Sequence, residues 1–291
     1  MPFPENKKHV SFSEIKMWKD CPHRHRLTYI DGHKTYEANP FADFGTALHD
    51  TIETFLKTKV IDKDFCAEEI RKAWGKNGFD TEEYLATQKM NKWFKYKPVD
   101  GWIDMANIVL DDFPAFMDET FPEWEPVEAE LPLYEPIGDS GMSFKGFVDA
   151  IIKVPKNKSK NTWTYWIIDW KTTGKGGWGG YRLPGGGWYN KRRDFNYLMQ
   201  VGLYKKFVSQ KLGIPLKDMR AGFVFMKRDQ KPGKTLELLK VSAGPKFIEK
   251  SDKVIESMVT AVSRSLYPRN YDSCKYCPFA GTEHCNGHKE W

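Results

Sequence analysis

Four of the five cysteines lie at the two ends of the chain, and this placement limits the fold more than any other feature of the sequence. Cys21 stands near the start, whereas Cys274, Cys277 and Cys285 stand near the end, about 250 residues later. The opening residues lack the apolar core of a signal peptide, so we expect a cytosolic setting, in which cysteines bind metals more often than they form disulfides. A metal shared by all four would bring the two ends of the chain together. Cys66 stands alone in a predicted helix and is interpreted as a small buried residue.

Four thiolates can hold either a [4Fe–4S] cluster or a zinc ion. Zinc stays open because His284 and His288 lie beside Cys285 and could replace a cysteine. With one ligand so far from the others, the metal would close nearly the whole chain into a loop. We therefore expect a structural role rather than electron transfer.

Composition narrows the class of protein without deciding its function. The chain has 291 residues, 40% of them hydrophobic, which is enough for a well-packed core. No apolar stretch is long enough to cross a membrane. The net charge of +6 predicts a weak attraction for polyanions, which many ordinary proteins share.

Hydrophobic periodicity predicts an α/β fold with a mixed central sheet flanked by helices. Pro98 and Pro114 are expected to punctuate a helical insertion, and the lysine-rich turn over 155–161 makes the strands beside it an antiparallel pair. The predicted helical segments are 11–29, 44–57, the insertion over 67–122, 194–212 and 245–266. The first of these is expected to break near Cys21. The predicted strands are 127–135, 143–154, 163–171, 220–227 and 235–241.

Two of these strands carry the strongest chemical signal. Asp149 follows Phe147 and Val148 on one strand. Asp169 and Lys171 stand at the end of an apolar run on the next, on the same side of their strand because strand side chains alternate. Carboxylate oxygens suit Mg²⁺ or Mn²⁺, which can activate water and stabilise charge on a phosphate. An ordinary ion pair between Asp169 and Lys171 explains those two residues equally well.

Two helices add polar residues at spacings that favour a metal site over an ordinary ion pair. His49 follows Gly45 by one helical turn and could face a metal, although a lone helical histidine is more often an ordinary surface or core residue. Gln200 and Tyr204 share a helix face and could hold a phosphate or the lysine, or simply pack.

In this order the motifs resemble the RecB-like branch of the PD-(D/E)XK nucleases. They read Gly-x-x-x-His at Gly45 and His49, Gly-x-x-Asp at Gly146 and Asp149, Asp-x-Lys at Asp169 and Lys171, and Gln-x-x-x-Tyr at Gln200 and Tyr204. The terminal cysteines, with prolines after Cys21 and Cys277, are similar to the iron–sulfur subgroup, which includes the AddB nuclease domain and the CRISPR-adaptation exonucleases. The gap between Cys277 and Cys285 is longer than in that subgroup.

The resemblance implies a restriction-endonuclease-like core with a role for each motif residue. His49, Asp149, Asp169 and the Trp170 carbonyl would bind the metal, Lys171 would be catalytic, and Gln200 and Tyr204 would support the site. Glu130 would be a further acidic position, for which Glu128 competes. The four terminal cysteines would hold a [4Fe–4S] cluster, with zinc as the alternative.

A glycine-rich run over 174–187 directly follows the Asp-x-Lys strand. Interleaved aromatic and basic side chains can stack on bases and neutralise phosphates, whereas the alternative is a plain surface loop. The candidate DNA-binding residues are Lys175, Trp178, Tyr181, Arg182, Trp188, Lys191, Arg192 and Arg193. Gly233, Lys234 and Thr235 are spaced like the end of a P-loop, but Arg228 stands where its first glycine is needed, so no ATPase motor is expected.

The sequence therefore predicts a single nuclease domain that digests single-stranded or end-bearing DNA in phage or mobile-element recombination or repair. Its parts would be N-terminal helices over 1–66, an insertion over 67–126, a catalytic core over 127–266 and a cysteine-rich tail over 267–291. Three alternatives stay open: a CRISPR-adaptation nuclease with integrase partners, a catalytically silent DNA-binding protein, and a zinc-stabilised interaction module.

Overall fold

A computed structural model describes residues 2–33, 38–89, 98–157, 161–174, 181–182, 188–189 and 195–287. A short strand, β1 (His9–Ser11), lies at the start of the first predicted helix, where no strand was predicted. Helices α1 (Phe12–Asp20) and α2 (Pro22–His25) follow, then a π-helical turn (Arg26–Ile30). The predicted break is present, because Cys21 between the two helices has an extended backbone.

Helices α3 (Pro40–Thr58), α4 (Lys63–Asn77), α5 (Glu82–Lys89) and α6 (Val99–Thr120) form the next part of the chain. Pro98 lies at the N-cap of α6, where a proline that separates helices is expected. Pro114 lies inside the helix, so that part of the prediction was wrong. A proline in a helix interior costs about 3 kcal/mol. The buried neighbours Phe113 and Met117 hold the helix together by packing, which a local signal does not report.

The rest of the chain builds the sheet and its second helical layer. In chain order the elements are β2 (Glu125–Pro136), β3 (Ser143–Asn157), β4 (Thr162–Thr173), β5 (Tyr181–Arg182), β6 (Trp188–Tyr189), α7 (Phe195–Leu212), β7 (Met219–Lys227), β8 (Leu236–Val241) and α8 (Pro245–Ser263), with 3-10 turns at Leu216–Asp218 and Tyr271–Tyr276. None of the described helices is long and apolar enough to cross a membrane.

Six strands form one sheet, which is mixed as predicted, although β1 was not among the five predicted strands. The main path runs β1, β3, β4, β7, β8, and β2 pairs with β3 from the other side. The β3–β4 pair is antiparallel, as the lysine-rich turn indicated, whereas β4 and β7 run parallel. Strands β5 and β6 pair with each other, apart from this sheet.

Helices cover both faces of the sheet, and each face has its own core. Residues of α1, α7 and α8 pack on one face, which we call the α7 face. Residues of α3, α4 and α6 pack on the other, which we call the α3 face. Because successive strand residues point to opposite faces, Ile167 packs on the α7 face and Ile168 on the α3 face.

One carboxylate fastens α6 to the turn between β7 and β8. The side chain of Asp112 accepts hydrogen bonds from the Gly233 N–H at 2.8 and 2.9 Å and from the Thr235 hydroxyl at 2.5 Å. Thr235 is buried, so water cannot easily replace these bonds. The segment that looked like the end of a P-loop is therefore a turn bound by a carboxylate.

We predict that Asp112→Ala lowers the free energy of unfolding by about 1.5–3 kcal/mol, because the Gly233 N–H and the buried Thr235 hydroxyl lose a charged acceptor at once. The matched control is Asp111→Ala, which removes an exposed ion pair with Lys63 and should cost at most about 1 kcal/mol. Urea denaturation of both variants measures the difference. Equal losses would show that the bonds of Asp112 contribute no more than a surface ion pair.

Candidate active site

The candidate site lies where strands β3 and β4 separate. Their described pairing ends with Ala150 opposite Ile168, and Asp149 and Asp169 are the next residues beyond that pair. The Trp170 N–H donates a hydrogen bond to Asp149 Oδ2 at 2.8 Å. The Asp149 side chain thus accepts the hydrogen bond that a backbone carbonyl of β3 would accept if the pairing continued. This contact brings the carboxylates of Asp149 and Asp169 close together.

The strands β2 and β3 also change face at this point. Leu131 and Val148 pack on the α7 face, whereas Ala129 and Ala150, two residues away along each strand, pack on the α3 face. Residues two apart in a regular strand share a face. The residue between the leucine and alanine of β2 is Glu130, whose φ is 53°, an uncommon backbone conformation for a residue other than glycine. The irregularity therefore falls on Glu130 and Asp149, which lie opposite each other.

Repulsion among these carboxylates changes their acidity. Burial, Asp169 and Glu130 raise the pKa of Asp149 well above its usual range, against Lys171 and the Trp170 N–H. Burial also raises the pKa of Glu130. A bound cation would relieve this repulsion.

Lys171 supplies positive charge in direct contact with the acids. Its Nζ lies 2.5 Å from Asp169 Oδ2. Burial lowers the pKa of Lys171, but Asp169 and Asp149 outweigh that effect and raise it above the ordinary value. The lysine is therefore held charged, as a partner of phosphate or of the acids themselves.

His49 reaches the site from α3. Its Nδ1 lies 3.7 Å from Asp149 Oδ2, and its ring interacts with the Trp170 backbone. Burial lowers the pKa of His49 to about 4, so the imidazole is neutral at neutral pH and has a lone pair free for a metal. A Cβ on Gly45 would stand 3.2 Å from Thr172 Oγ1, so the glycine lets α3 approach β4 closely.

Gln200 and Tyr204 reach Asp169 from α7. Gln200 Nε2 donates to Asp169 Oδ1 at 2.8 Å and lies 3.4 Å from the Tyr204 hydroxyl oxygen. Burial and Asp169 raise the pKa of Tyr204, so the hydroxyl stays protonated. A Cβ on Gly146 would stand 3.3 Å from the Tyr204 ring, which explains the glycine at that position of β3.

The donors at this site fit a hard divalent cation. Glu130 Oε2 is buried without a hydrogen-bond partner in the described part of the chain, while Glu128 is exposed, which favours Glu130 as the accessory acid. Acidic oxygens with a neutral imidazole suit Mg²⁺ or Mn²⁺. Within the described ranges, however, no group of three or more His, Cys, Asp or Glu side chains is arranged to hold a metal ion as it stands. Binding would therefore need side chains to adjust.

Sequence reasoning assigned no role to Asp50 and Glu53. Both acids act on Glu130 and raise its pKa. Glu53 lies four residues after His49 on α3, so this helical spacing was a signal that could have identified it, whereas Asp50, next to His49, has no such signal.

The four terminal cysteines come together at the other candidate centre. Cys21, Cys274, Cys277 and Cys285 are buried, form no disulfide and line one small cavity. A Cβ on Gly287 would stand 2.6 Å from Cys274 Sγ and 3.6 Å from Cys285 Sγ, so the chain turns back closely over both sulfurs. Four buried thiols suit a cluster or a zinc ion by their chemistry, but within the described ranges they too are not arranged to hold a metal ion as they stand.

His284, one of the two histidines considered as zinc ligands, does not line this cavity. The His284 ring lies 4.0 Å from that of His33, and its backbone carbonyl lies 3.3 Å from His23 Nε2. His23 itself lines the cavity, and the Asn270 N–H lies 3.5 Å from Cys21 Sγ. His288 lies outside the described residues.

The predicted DNA-binding segment is described only in part. Tyr181, Arg182 and Trp188 lie in β5 and β6, of which the backbone alone is described. Five further candidates, Lys175, Trp178, Lys191, Arg192 and Arg193, lie outside the described residues.

Comparison with known proteins gives a family and a fold. The family described as the PD-(D/E)XK nuclease superfamily matches residues 9–282. A crystal structure of a protein named "putative exonuclease" from Eubacterium rectale is similar with a TM-score of 0.54 and 10% identity, over 94% of this chain and 87% of that one. No curated protein matches the sequence. At this identity the crystal structure supports the fold alone.

We predict that the His49 imidazole of the metal-free protein titrates near pH 4, because burial opposes its charged form. The unfolded chain takes up this proton near pH 6.5, so the residue lowers stability as pH falls from 6.5 to 4. Nitrogen-detected NMR titration measures the pKa, and His49→Gln identifies the signal. Titration near pH 6.5 would show that the ring is open to water.

Proposed function

The chain belongs to the PD-(D/E)XK nuclease superfamily, and from that premise we propose that it is a Mg²⁺- or Mn²⁺-dependent DNA exonuclease. The observation that carries this proposal is the convergence of Asp149, Asp169 and Lys171 where β3 and β4 separate. Two acids and a lysine in contact suit the hydrolysis of a phosphodiester.

Asp149, Asp169, the Trp170 carbonyl and His49 would hold the metal, with Glu130 as an accessory acid. A divalent cation at this place would polarise the scissile phosphate and make a water molecule more acidic. The repulsion that raises the pKa of Asp149 favours its capture, since the cation neutralises the acids.

The remaining residues would orient the reactants. Lys171, held charged by Asp169 and Asp149, would neutralise phosphate charge and position the attacking water. Gln200 fixes one oxygen of Asp169, which leaves the other oxygen to face Lys171. Tyr204 would support Gln200 and act through it rather than on the substrate.

A basic and aromatic groove supports DNA as the substrate. Trp18, Lys19, Phe195 and Lys250 line it at the start of α7. The ammonium groups of Lys19 and Lys250 lie 5.4 and 4.9 Å from the centre of the Phe195 ring. Bases stack on such rings while lysines neutralise phosphates. The name of the similar Eubacterium rectale protein, putative exonuclease, favours digestion from strand ends.

We propose further that the four terminal cysteines hold a [4Fe–4S] cluster with a structural role. The support is their burial around one cavity and the close turn at Gly287. The cavity joins the segment after α8 to α1 and α2, so the cluster would hold the two ends of the fold together.

Asp169→Ala should reduce hydrolysis of end-labelled DNA by at least about 100-fold with Mn²⁺, because the variant loses a metal ligand and the partner of Lys171. Glu130→Gln should reduce the rate by about 10- to 100-fold. Glu128→Gln, an exposed acid two residues away, is the matched control and should keep full activity. Undiminished digestion by Asp169→Ala would place the reaction elsewhere.

Iron and acid-labile sulfide should be present in the purified protein, and Cys21→Ala should lose both and unfold at a lower temperature. Cys66→Ala is the matched control, since this buried cysteine lies in the α3-face core and should keep the full iron content. Zinc in place of iron on elemental analysis would contradict the cluster but not the nuclease proposal.

A further inference from the structure

A cavity of about 450 Å³ opens at a part of the sheet that the candidate active site does not use. Trp166 and Arg220 lie near the start of the parallel strands β4 and β7, and Lys240 lies near the end of the antiparallel β8, so all three meet at one edge. Asp169 lies farther along β4. None of the metal-binding or catalytic candidates lines this cavity.

Positive charge collects around the cavity without acidic partners. Lys205, Arg220 and Lys240 line it, and no acidic side chain does. In the described part of the chain, no carboxylate forms an ion pair with any of these three residues. Such an arrangement repels itself unless an anion enters.

Lys205 is the decisive residue, because only 8% of it is exposed. Its Nζ donates a hydrogen bond to the Ala243 carbonyl at 3.1 Å, and an ammonium group has three donors. Burial and the charge of Arg220 lower the pKa of Lys205. Buried ammonium groups normally have a charged partner, and Lys205 has a second cation instead.

The N-terminus of α8 borders the same cavity. Gly244 and Pro245 line it, and the helix of 19 residues begins at Pro245 without a side-chain cap. Its first turn has no acid and contains Lys246. Pro245 has no N–H, and the N–H groups of Phe247 and Ile248 donate to the Gly244 carbonyl, so the Lys246 N–H and the helix dipole are what favour an anion at this end.

The dimensions and remaining wall indicate what kind of anion fits. Small-molecule sites occupy roughly 300–1,000 Å³, so the cavity is larger than a lone phosphate needs. Trp166 is one of the lining residues; its ring lies 5.3 Å from that of Phe121, between ring centres, and Lys240 Nζ lies 5.9 Å from it. An aromatic ring beside a cluster of cations suits a base attached to a phosphate.

We propose that this cavity is a second ligand site, which binds the phosphate monoester of a mononucleotide. Lys205, Arg220 and the first turn of α8 would hold the phosphate, and Trp166 would contact the base. The phosphate could come from a free nucleoside monophosphate or from the phosphorylated end of a strand. The site goes beyond the proposed nuclease function, because no residue of the candidate active site takes part.

Calorimetric titration of the full chain in metal-free buffer tests the proposal. Deoxycytidine monophosphate should bind, while deoxycytidine, which lacks the phosphate, should not. Lys205→Met should weaken binding at least tenfold. Arg220→Gln, at an exposed position that tolerates change, should also weaken binding, and it decides the case if Lys205→Met fails to fold.

Two controls separate this site from the nuclease centre. Lys72→Gln removes an exposed lysine of α4 and should leave affinity unchanged. Asp169→Ala should abolish DNA hydrolysis yet retain binding of the monophosphate. Loss of binding in Asp169→Ala would overturn the second site, as would equal binding of deoxycytidine or unchanged affinity in Arg220→Gln.

The source of the phosphate is resolved with a short oligonucleotide carrying or lacking a 5′-phosphate. Competition with the monophosphate by the phosphorylated strand alone supports a site that also takes strand ends. Competition by neither strand supports a site for the free mononucleotide. Equal competition by both strands would overturn recognition of a phosphate monoester.

Discussion

The structure around the candidate site depends on a group of carboxylates that repel one another. Asp149 and Asp169 lie where β3 leaves β4, and Glu130 faces Asp149 from β2. Removing one ionised carboxylate from water costs several kcal/mol, and placing acids together adds to that cost. Lys171 and the Trp170 N–H offset part of it. The remainder explains why the pKa of Asp149 is raised and why a divalent cation suits the site.

The candidate cluster at the chain ends is mechanically linked to the same strand. Cys21 directly follows α1, and α1 follows β1, which pairs with β3 at Ser143–Lys145. A buried contact reinforces this link. Glu14 of α1 lies 2.9 Å from His25 Nε2, within hydrogen-bond distance, and forms an ion pair with Lys7 Nζ at 3.0 Å. Fixing the cysteines would therefore fix the strand that carries Asp149. This is a structural contribution, and it requires no transfer of electrons.

The sheet separates two chemically opposite regions. The point where β3 and β4 separate gathers acids that suit a metal cation, and the edge beside α8 gathers Lys205, Arg220 and Lys240, which suit an anion. Helix α7 borders both, since Gln200 contacts Asp169 and Lys205 contacts the segment before α8. On the two proposals made above, a nucleotide released at the first region would have the chemistry to bind in the second.

Local sequence patterns determined the order of helices and strands, the mixed sheet and the residue types of the site, because periodicity and motif spacing act over a few residues. Gly45 and Gly146 were visible as motif members, but only the tertiary structure shows that they admit α3 and α7 to the strands. The sequence also failed to predict four further features. These are the continuation of α6 through Pro114, the strand β1, the positive φ of Glu130, and the effect of Asp50 and Glu53 on the pKa of Glu130. Each of these depends on contacts between residues far apart in the chain. The cationic cavity beside α8 is the clearest case, because a lysine, an arginine and a helix end on separate elements become one site only when the sheet brings them together.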